Sequence, residues 1–323
     1  MTRVVVTGAN GFVGRRVGAR LVGAGHEVVA VVRDARAQLP PGVALAVQVG
    51  DLDAQTDWRR ALAPGDVVVH LAARAHQGDD AAARADFRRI NVDGTRGLVE
   101  AAVAMQVAQV VYLSSAKVYG ERSLPDADGT PHAYTVDDVP HPIGPYGESK
   151  LAAETLLRER CAAAGIALTV LRPPLVYGPG NKANLHALLT AIARGVPLPL
   201  ASIRNRRSLV HVDNLAEAIA RAIDTARGIR LYTVADVELS TPDLVRALAR
   251  GLGRTPRLLP CPVGALRVLG KLGGRSAMIE RLTESMVLER ARIVRELDWH
   301  PPVALEPAMQ AIGERYREDV QCR

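Results

Sequence analysis

Cysteine is scarce in this chain of 323 residues: Cys161, Cys261 and Cys322 lie far apart, with neither disulfide-framework nor metal-ligand spacing. That excludes a disulfide-stapled scaffold and gives no reason to expect a metal; the thiols read as reduced, in a cytoplasmic protein. Aromatic residues make up 3% of the chain and no basic run is interleaved with them, so nucleic acid is not an expected partner despite a formal net charge of +7. No apolar run approaches the roughly 18 residues of a membrane span. The most apolar late stretch, Leu258–Leu272, is interrupted by Pro260, Pro262 and basic residues, so no membrane partner is expected. The opening run Arg3–Gly8 is β-branched from its start, and a cleavable leader is not expected either. Internal repeats and low-complexity tracts are missing. What remains is an ordinary globular composition, 48% apolar and 23% charged, whose scattered arginines suit a small polyanionic ligand.

The first half alternates short β-branched runs with alanine-rich segments of helical period. Strands are predicted over 3–7, 27–32, 44–49, 67–71, 109–114 and 167–172, and helices over 11–23, 53–62, 86–105 and 146–164. Strands separated by helices imply right-handed βαβ units, and near-continuous apolar strands imply a parallel sheet covered on both faces. The expected fold is therefore α/β: a Rossmann-type doubly wound sheet over residues 1–175, followed by a smaller C-terminal α/β substrate domain over 176–323. Within the latter, 208–212 and 231–234 are candidates to return to the first sheet. The Gly/Pro/Asp/His-rich stretch from Gly120 to Pro145 is too long for a simple connection and is expected to form a lid or wall.

Two motifs carry chemistry. Thr7-Gly8-Ala9-Asn10-Gly11-Phe12-Val13-Gly14 follows the first strand and opens a helix. Glycines there permit a tight turn and let backbone N–H groups approach a pyrophosphate, which the helix N-terminus attracts. The spacing is Gly-x-x-Gly-x-x-Gly rather than Gly-x-Gly-x-x-Gly. At the end of the second strand, Val31-Val32-Arg33-Asp34 places an arginine where a 2′-phosphate would lie, favouring NADP slightly over NAD. Asp51 is positioned either for an adenine amino group or as the cap of a helix from Asp53. The second motif is Tyr146-Gly147-Glu148-Ser149-Lys150, which sets a phenol and an ammonium at i and i+4 on one helix face. The cation favours the phenolate, so the tyrosine can exchange a proton with a carbinol while hydride moves. Upstream, Ser114 and Ser115 close the fifth strand at the ligand-binding edge of the sheet, and Ser115 is the preferred catalytic hydroxyl.

Together, the glycine loop, Ser115-Ala116-Lys117-Val118-Tyr119-Gly120 and Tyr146…Lys150 resemble the extended short-chain dehydrogenase/reductases that act on nucleotide sugars. The likeness continues through Leu171-Arg172-Pro173-Pro174-Leu175-Val176-Tyr177-Gly178-Pro179-Gly180, Arg206–Asn214 and Arg295–Pro302. It implies an enzyme with Ser115, Tyr146 and Lys150 as catalytic triad. It also implies Gly8, Asn10, Gly11, Phe12, Val13, Gly14, Arg33, Asp51, Leu52, Leu71, Ala72, Ala73, Tyr146, Lys150 and Pro173 around the cofactor. For the substrate it implies Ser115, Lys117, Asn184, Leu185, Arg207 and Arg281, with the two arginines on a diphosphate. Arg281 reads equally as a solvated helix residue, and Lys117 as a solvated loop lysine. Segments around Asn184 and Asn205–Ser208 look most like UDP-sugar 4-epimerases and 4-keto-6-deoxy-sugar 4-reductases of surface-polysaccharide pathways. Reduction is slightly favoured over epimerisation; a non-catalytic dinucleotide sensor is a remote alternative. The family's 4,6-dehydratases resemble Thr-Asp-Glu-Val-Tyr-Gly where this chain has Ser115-Ala116-Lys117, and without those carboxyl groups dehydration is not expected. The family also implies a homodimer, paired through the helices over 86–105 and 146–164.

Overall fold

A computed structural model describes residues 1–34, 36–75, 81–181, 184–225 and 227–321; the side chain of Asn184 and all of Cys322 lie outside the described residues. Strand and helix alternate through the first half: β1 (Arg3–Thr7), α1 (Phe12–Gly23), β2 (Glu27–Val32), β3 (Leu45–Gln48), β4 (Val67–His70), α2 (Ala81–Phe87), α3 (Gly94–Ala104), β5 (Gln109–Leu113), β6 (Ala133–Tyr134), α4 (Gly144–Ala164) and β7 (Ala167–Arg172). A π-helical turn, Arg88–Asp93, joins α2 to α3. The rest comprises β8 (Leu175–Tyr177), α5 (Asn184–Ala193), β9 (Arg207–His211), α6 (Val212–Asp224), β10 (Ile229–Thr233), β11 (Val237–Leu239), α7 (Thr241–Gly251), α8 (Val263–Leu272), α9 (Ser276–Thr283), β12 (Val287–Leu288), α10 (Ala291–Leu297) and α11 (Leu305–Gln321).

Seven strands form one sheet in the order β10-β7-β5-β4-β1-β2-β3, parallel throughout. The reversal between β1 and β4 is the switch point at which such sheets open a ligand crevice at their carboxyl ends. Alternation along the strands splits the core in two. Val4, Val6, Val28 and Ala30 face α1 and α6, with Leu21, Leu215, Ile219 and Trp299. Val5, Val29, Val31 and Val68 face α3 and α4, with Leu98, Leu157 and Cys161. Each valine, leucine or isoleucine side chain so removed from water contributes about 1.5–3 kcal/mol. A third core, from Tyr177, Leu189, Leu209, Leu248 and Ile312, belongs to the C-terminal layer.

Three sequence expectations need correction. No helix spans 53–62; Gln55 and Arg59 donate backbone N–H groups to the side chains of Asp53 and Asp57, local turns that compete with a helix, and Trp58 and Leu62 plug into the second core. The helix expected over 86–105 starts earlier, at Ala81, and is interrupted by the π turn. Of the two candidate returning strands, only β10 joins the large sheet, beside β7; β9 lies in a separate sheet ordered β11-β9-β8.

Candidate active site

Gly8 sits at φ +66°, and a Cβ there would lie 2.9 Å from the Ala72 backbone nitrogen; one on Gly14 would lie 2.1 Å from the Gly8 carbonyl oxygen. The loop is thus folded onto itself and onto the end of β4. Helix α1 begins with Gly11 as its cap, which offers no side-chain acceptor, so the first-turn N–H groups stay available to an anion. These features fit the pyrophosphate of a dinucleotide, and Leu71 and Ala72 border the same loop. Arg33 and Asp51 meet at 3.7 Å, both largely exposed, so the cation taken as a sign of a 2′-phosphate is partly answered by the carboxylate meant for adenine. Leu52 is buried in the second core and Leu185 in the third.

Beneath the loop lies a network that the sequence motifs do not announce. Thr95 Oγ1 donates to the Asn91 carbonyl at 2.6 Å and therefore accepts from His70 Nε2 at 3.0 Å. His70 Nδ1 then accepts from Thr7 Oγ1 at 2.7 Å, and Thr7 Oγ1 accepts from the N–H groups of Leu71 and Ala72. Burial, with the nearby Lys150 charge second, holds His70 neutral with a pKa of about 3. Asn91, on the π turn, brackets the backbone of Arg74 and donates to Ser149 Oγ at 2.9 Å, tying this network to α4. The one sequence signal for it was polar residues spaced along otherwise apolar elements.

Ser115 caps a 3₁₀ turn (Ala116–Tyr119) at the end of β5, its hydroxyl accepting from the Lys117 N–H at 3.2 Å. The Ala116 N–H bonds the Pro173 carbonyl at 2.8 Å, fixing this turn to the end of β7. Pro145 lies in the first turn of α4, where its missing N–H costs nothing, and the helix carries Tyr146 and Lys150 to the same edge. Gly147 is required there, since a Cβ would meet the Lys117 carbonyl oxygen at 2.6 Å. Burial pushes the Tyr146 phenol above its ordinary value, and the Ser115 hydroxyl, hydrogen-bonded to it, opposes that rise. Lys150 is 3% exposed. Its Nζ donates to the Leu113 carbonyl at 2.8 Å and lies 4.8 Å above the Tyr112 ring. Burial pulls its pKa down to about 7, against the upward pull of Glu154. Ser115, Tyr146 and Lys150 are therefore brought together at one sheet edge.

A second polar group flanks this edge. Lys117 Nζ is ion-paired with Glu121. The Arg207 guanidinium donates to the carbonyls of Arg281 and Glu284 at the end of α9. Burial lowers its pKa; Glu121 opposes this and Arg281 adds to it, so the four side chains share one field. The loop from Gly120 to Pro145 is a wall rather than a free lid. The Ser123 N–H bonds the Ser285 carbonyl, the Glu289 N–H bonds the Tyr134 carbonyl, and Tyr119 and Tyr134 stack at 4.7 Å.

The NAD dependent epimerase/dehydratase family matches residues 4–235. The chain belongs to that family. It is an enzyme of a family of oxidoreductase chemistry on nucleotide sugars, and the fold is the Rossmann-like one expected from sequence. A UDP-glucose 4-epimerase of Vibrio cholerae is 34% identical over 97% of this chain and 95% of its own length. An N-acetyl-alpha-D-glucosaminyl-diphospho-ditrans,octacis-undecaprenol 4-epimerase of Escherichia coli O157:H7 is 30% identical over 84% of this chain and 81% of its own. The structure of MoeE5 in complex with UDP-glucuronic acid and NAD superposes with a TM-score of 0.77, at 27% identity, over 98% of this chain and 99% of that one.

Proposed function

We propose that this protein is an NAD-dependent 4-epimerase of a UDP-linked sugar. The observation that carries the reading is the gathering of Ser115, Tyr146 and the buried Lys150 at the carboxyl edge of β5, beside the glycine loop. The named activity of the Vibrio cholerae relative supports epimerisation over the net reduction that the sequence slightly favoured. The pairing of Arg33 with Asp51 weakens the case for NADP. The glycine loop, Leu71–Ala73 and Pro173 would hold the dinucleotide, with Asp51 on its adenosine side. A bound nicotinamide supplies the acceptor for the C4 hydride and its return.

Tyr146 acts on the other atom of the pair. Its phenolate oxygen takes the proton of the C4 hydroxyl as the C–H bond gives up hydride, leaving a ketone at C4. When hydride is returned to the opposite face, Tyr146 gives the proton back to the C4 oxygen and the inverted alcohol forms. Ser115 donates a hydrogen bond to that oxygen throughout and steadies the charge developing on it. Lys150 supplies the cation that makes the phenolate accessible near neutral pH. Arg207 and Arg281 would take the diphosphate, Lys117 the sugar end, and the start of α5, with Asn184, the nucleoside side. Residues up to 175, with β10, would form the cofactor-binding unit and the remainder the substrate layer. The open hollow lined by Val92 of the π turn, Arg96 of α3 and Leu151, Thr155 and Glu159 of α4 supports a pairing of two copies.

The test supplies UDP-glucose, UDP-N-acetylglucosamine and a UDP-4-keto-6-deoxyhexosamine separately, with NADH or NADPH. Interconversion of C4 epimers without net cofactor use is the expected result. Stoichiometric oxidation of the reduced cofactor by the keto sugar alone would replace the epimerase reading with the reductase one.

A further inference from the structure

We infer that Glu154 is a positioning residue of the acid–base site, which keeps Lys150 charged beneath Tyr146 and holds the Ser114–Ser115 corner in place. The inference rests on the reading of Tyr146 and Lys150 as the proton-transfer pair. Residues 146, 150 and 154 stand at i, i+4 and i+8, so their side chains stack along one face of α4. Glu154 is 1% exposed, a rare setting for a carboxylate without partners. It has them on every side. From β7, Arg172 grips it through Nε at 3.0 Å and Nη2 at 2.5 Å. From the end of β5, the Ser114 hydroxyl donates to Oε1. Arg172 in turn bonds the Tyr119 hydroxyl at 2.7 Å, which donates to the Thr135 carbonyl of the wall loop at 2.6 Å.

The ionisable groups facing Lys150 are Tyr112 from β5, His70 from β4, and Tyr146 and Glu154 from its own helix. Of these only Glu154 is a carboxylate. Lys150 sits where burial leaves little to hold its proton near neutral pH, and the Tyr112 ring and one carbonyl cannot replace a full negative charge. Removing the charge at 154 therefore discharges Lys150, and Tyr146 loses the cation that favours its phenolate. The direct field of Glu154 on Tyr146 has the opposite sign. It acts across two helical turns, about 12 Å, whereas Lys150 lies one turn away, about 6 Å. The sign of the shift therefore identifies the route.

The experiment uses the purified holoprotein and compares wild type, E154Q, E154D and the double variant E154Q/R172Q, which leaves no orphaned arginine if E154Q alone folds poorly. The tyrosinate absorbance of each is titrated against the same protein carrying Y146F, which needs no substrate, and turnover is profiled against pH where a substrate is known. The expected result is an apparent Tyr146 pKa raised by about one unit in E154Q and in the double variant, with the acid limb of turnover moving alike. E154D, which keeps the charge, should leave both within a few tenths of wild type even if its melting temperature falls. An unmoved or lowered Tyr146 pKa in both charge-removing variants, whatever their activity, would overturn the inference. Survival of turnover in Y146F would instead remove the parent reading.

Discussion

The two ends of the cleft are built differently. At the acid–base end, Ser115, Tyr146 and Lys150 come from two neighbouring segments of chain, and each is fixed by short-range geometry: a strand end, a 3₁₀ turn and one face of a helix. At the arginine end, Lys117, Glu121, Arg207, Arg281 and Glu284 come from segments up to 167 residues apart and meet only after the C-terminal layer has docked. The first end is deeply buried, with Lys150 and Glu154 each shielded from solvent. The second is half exposed, and its cations are held by carbonyl oxygens and one carboxylate. On the proposed reading, the reacting atoms would lie against the buried end and the diphosphate against the more exposed one.

Four experiments bear on that contrast. The largest effect should come from Y146F, which removes the proton acceptor and should cut turnover by about 10²–10⁴-fold while bound cofactor, measured by its absorbance after denaturation, stays near wild type. Next is the buried network beneath. Because His70 stays neutral when folded, with a pKa of about 3, the unfolded chain gains a proton below about pH 6.5 that the folded one refuses. Stability should therefore be intact above pH 6.5 and fall by a few kcal/mol as pH drops toward 3. Urea denaturation at pH 7 and pH 4 measures this, and H70Q should flatten the difference. At the other end, R207A should raise KM for a UDP-sugar by about 10–100-fold through lost charge-assisted hydrogen bonds, with kcat changed less. A collapse of kcat with KM unchanged would erase the proposed division between the two ends. The smallest effect concerns the exposed Arg33–Asp51 pair: D51N should shift the NADP-to-NAD preference upward by less than about fivefold, read from the two apparent affinities.

The same contrast sets what was legible in the sequence. All six early strands fall within one residue of their predicted ends, because a buried parallel strand writes itself as a continuous apolar run. The gathering of Ser115, Tyr146 and Lys150 at one edge was legible because Tyr146 and Lys150 share a helix face and Ser115 ends a strand. The segment 53–62 was misread because alanine and leucine imitate helical period, while Asp53 and Asp57 turn the backbone by local bonds that propensity does not weigh. His70, Thr95, Asn91 and Glu154 escaped because each matters through partners 18 to 63 residues away. Arg33 and Asp51 were each read correctly as sheet-edge residues but separately, and their mutual neutralisation exists only in three dimensions.

The wall of the site also has a history in time. Its short strand at Ala133–Tyr134 pairs with Val287–Leu288, and Glu289 bonds both Tyr134 and, through its carbonyl, Thr233 of the last sheet strand. At about 5–20 residues per second on the ribosome, roughly 8–30 seconds separate synthesis of the wall from synthesis of the segment that anchors it. During that interval the parallel sheet can close, but within the loop of residues 120–145 Ser123 and the short strand at Ala133–Tyr134 lack their partners at Ser285 and Val287–Leu288. A nascent chain stalled before Val287 would present that loop to proteases, and a finished one would not.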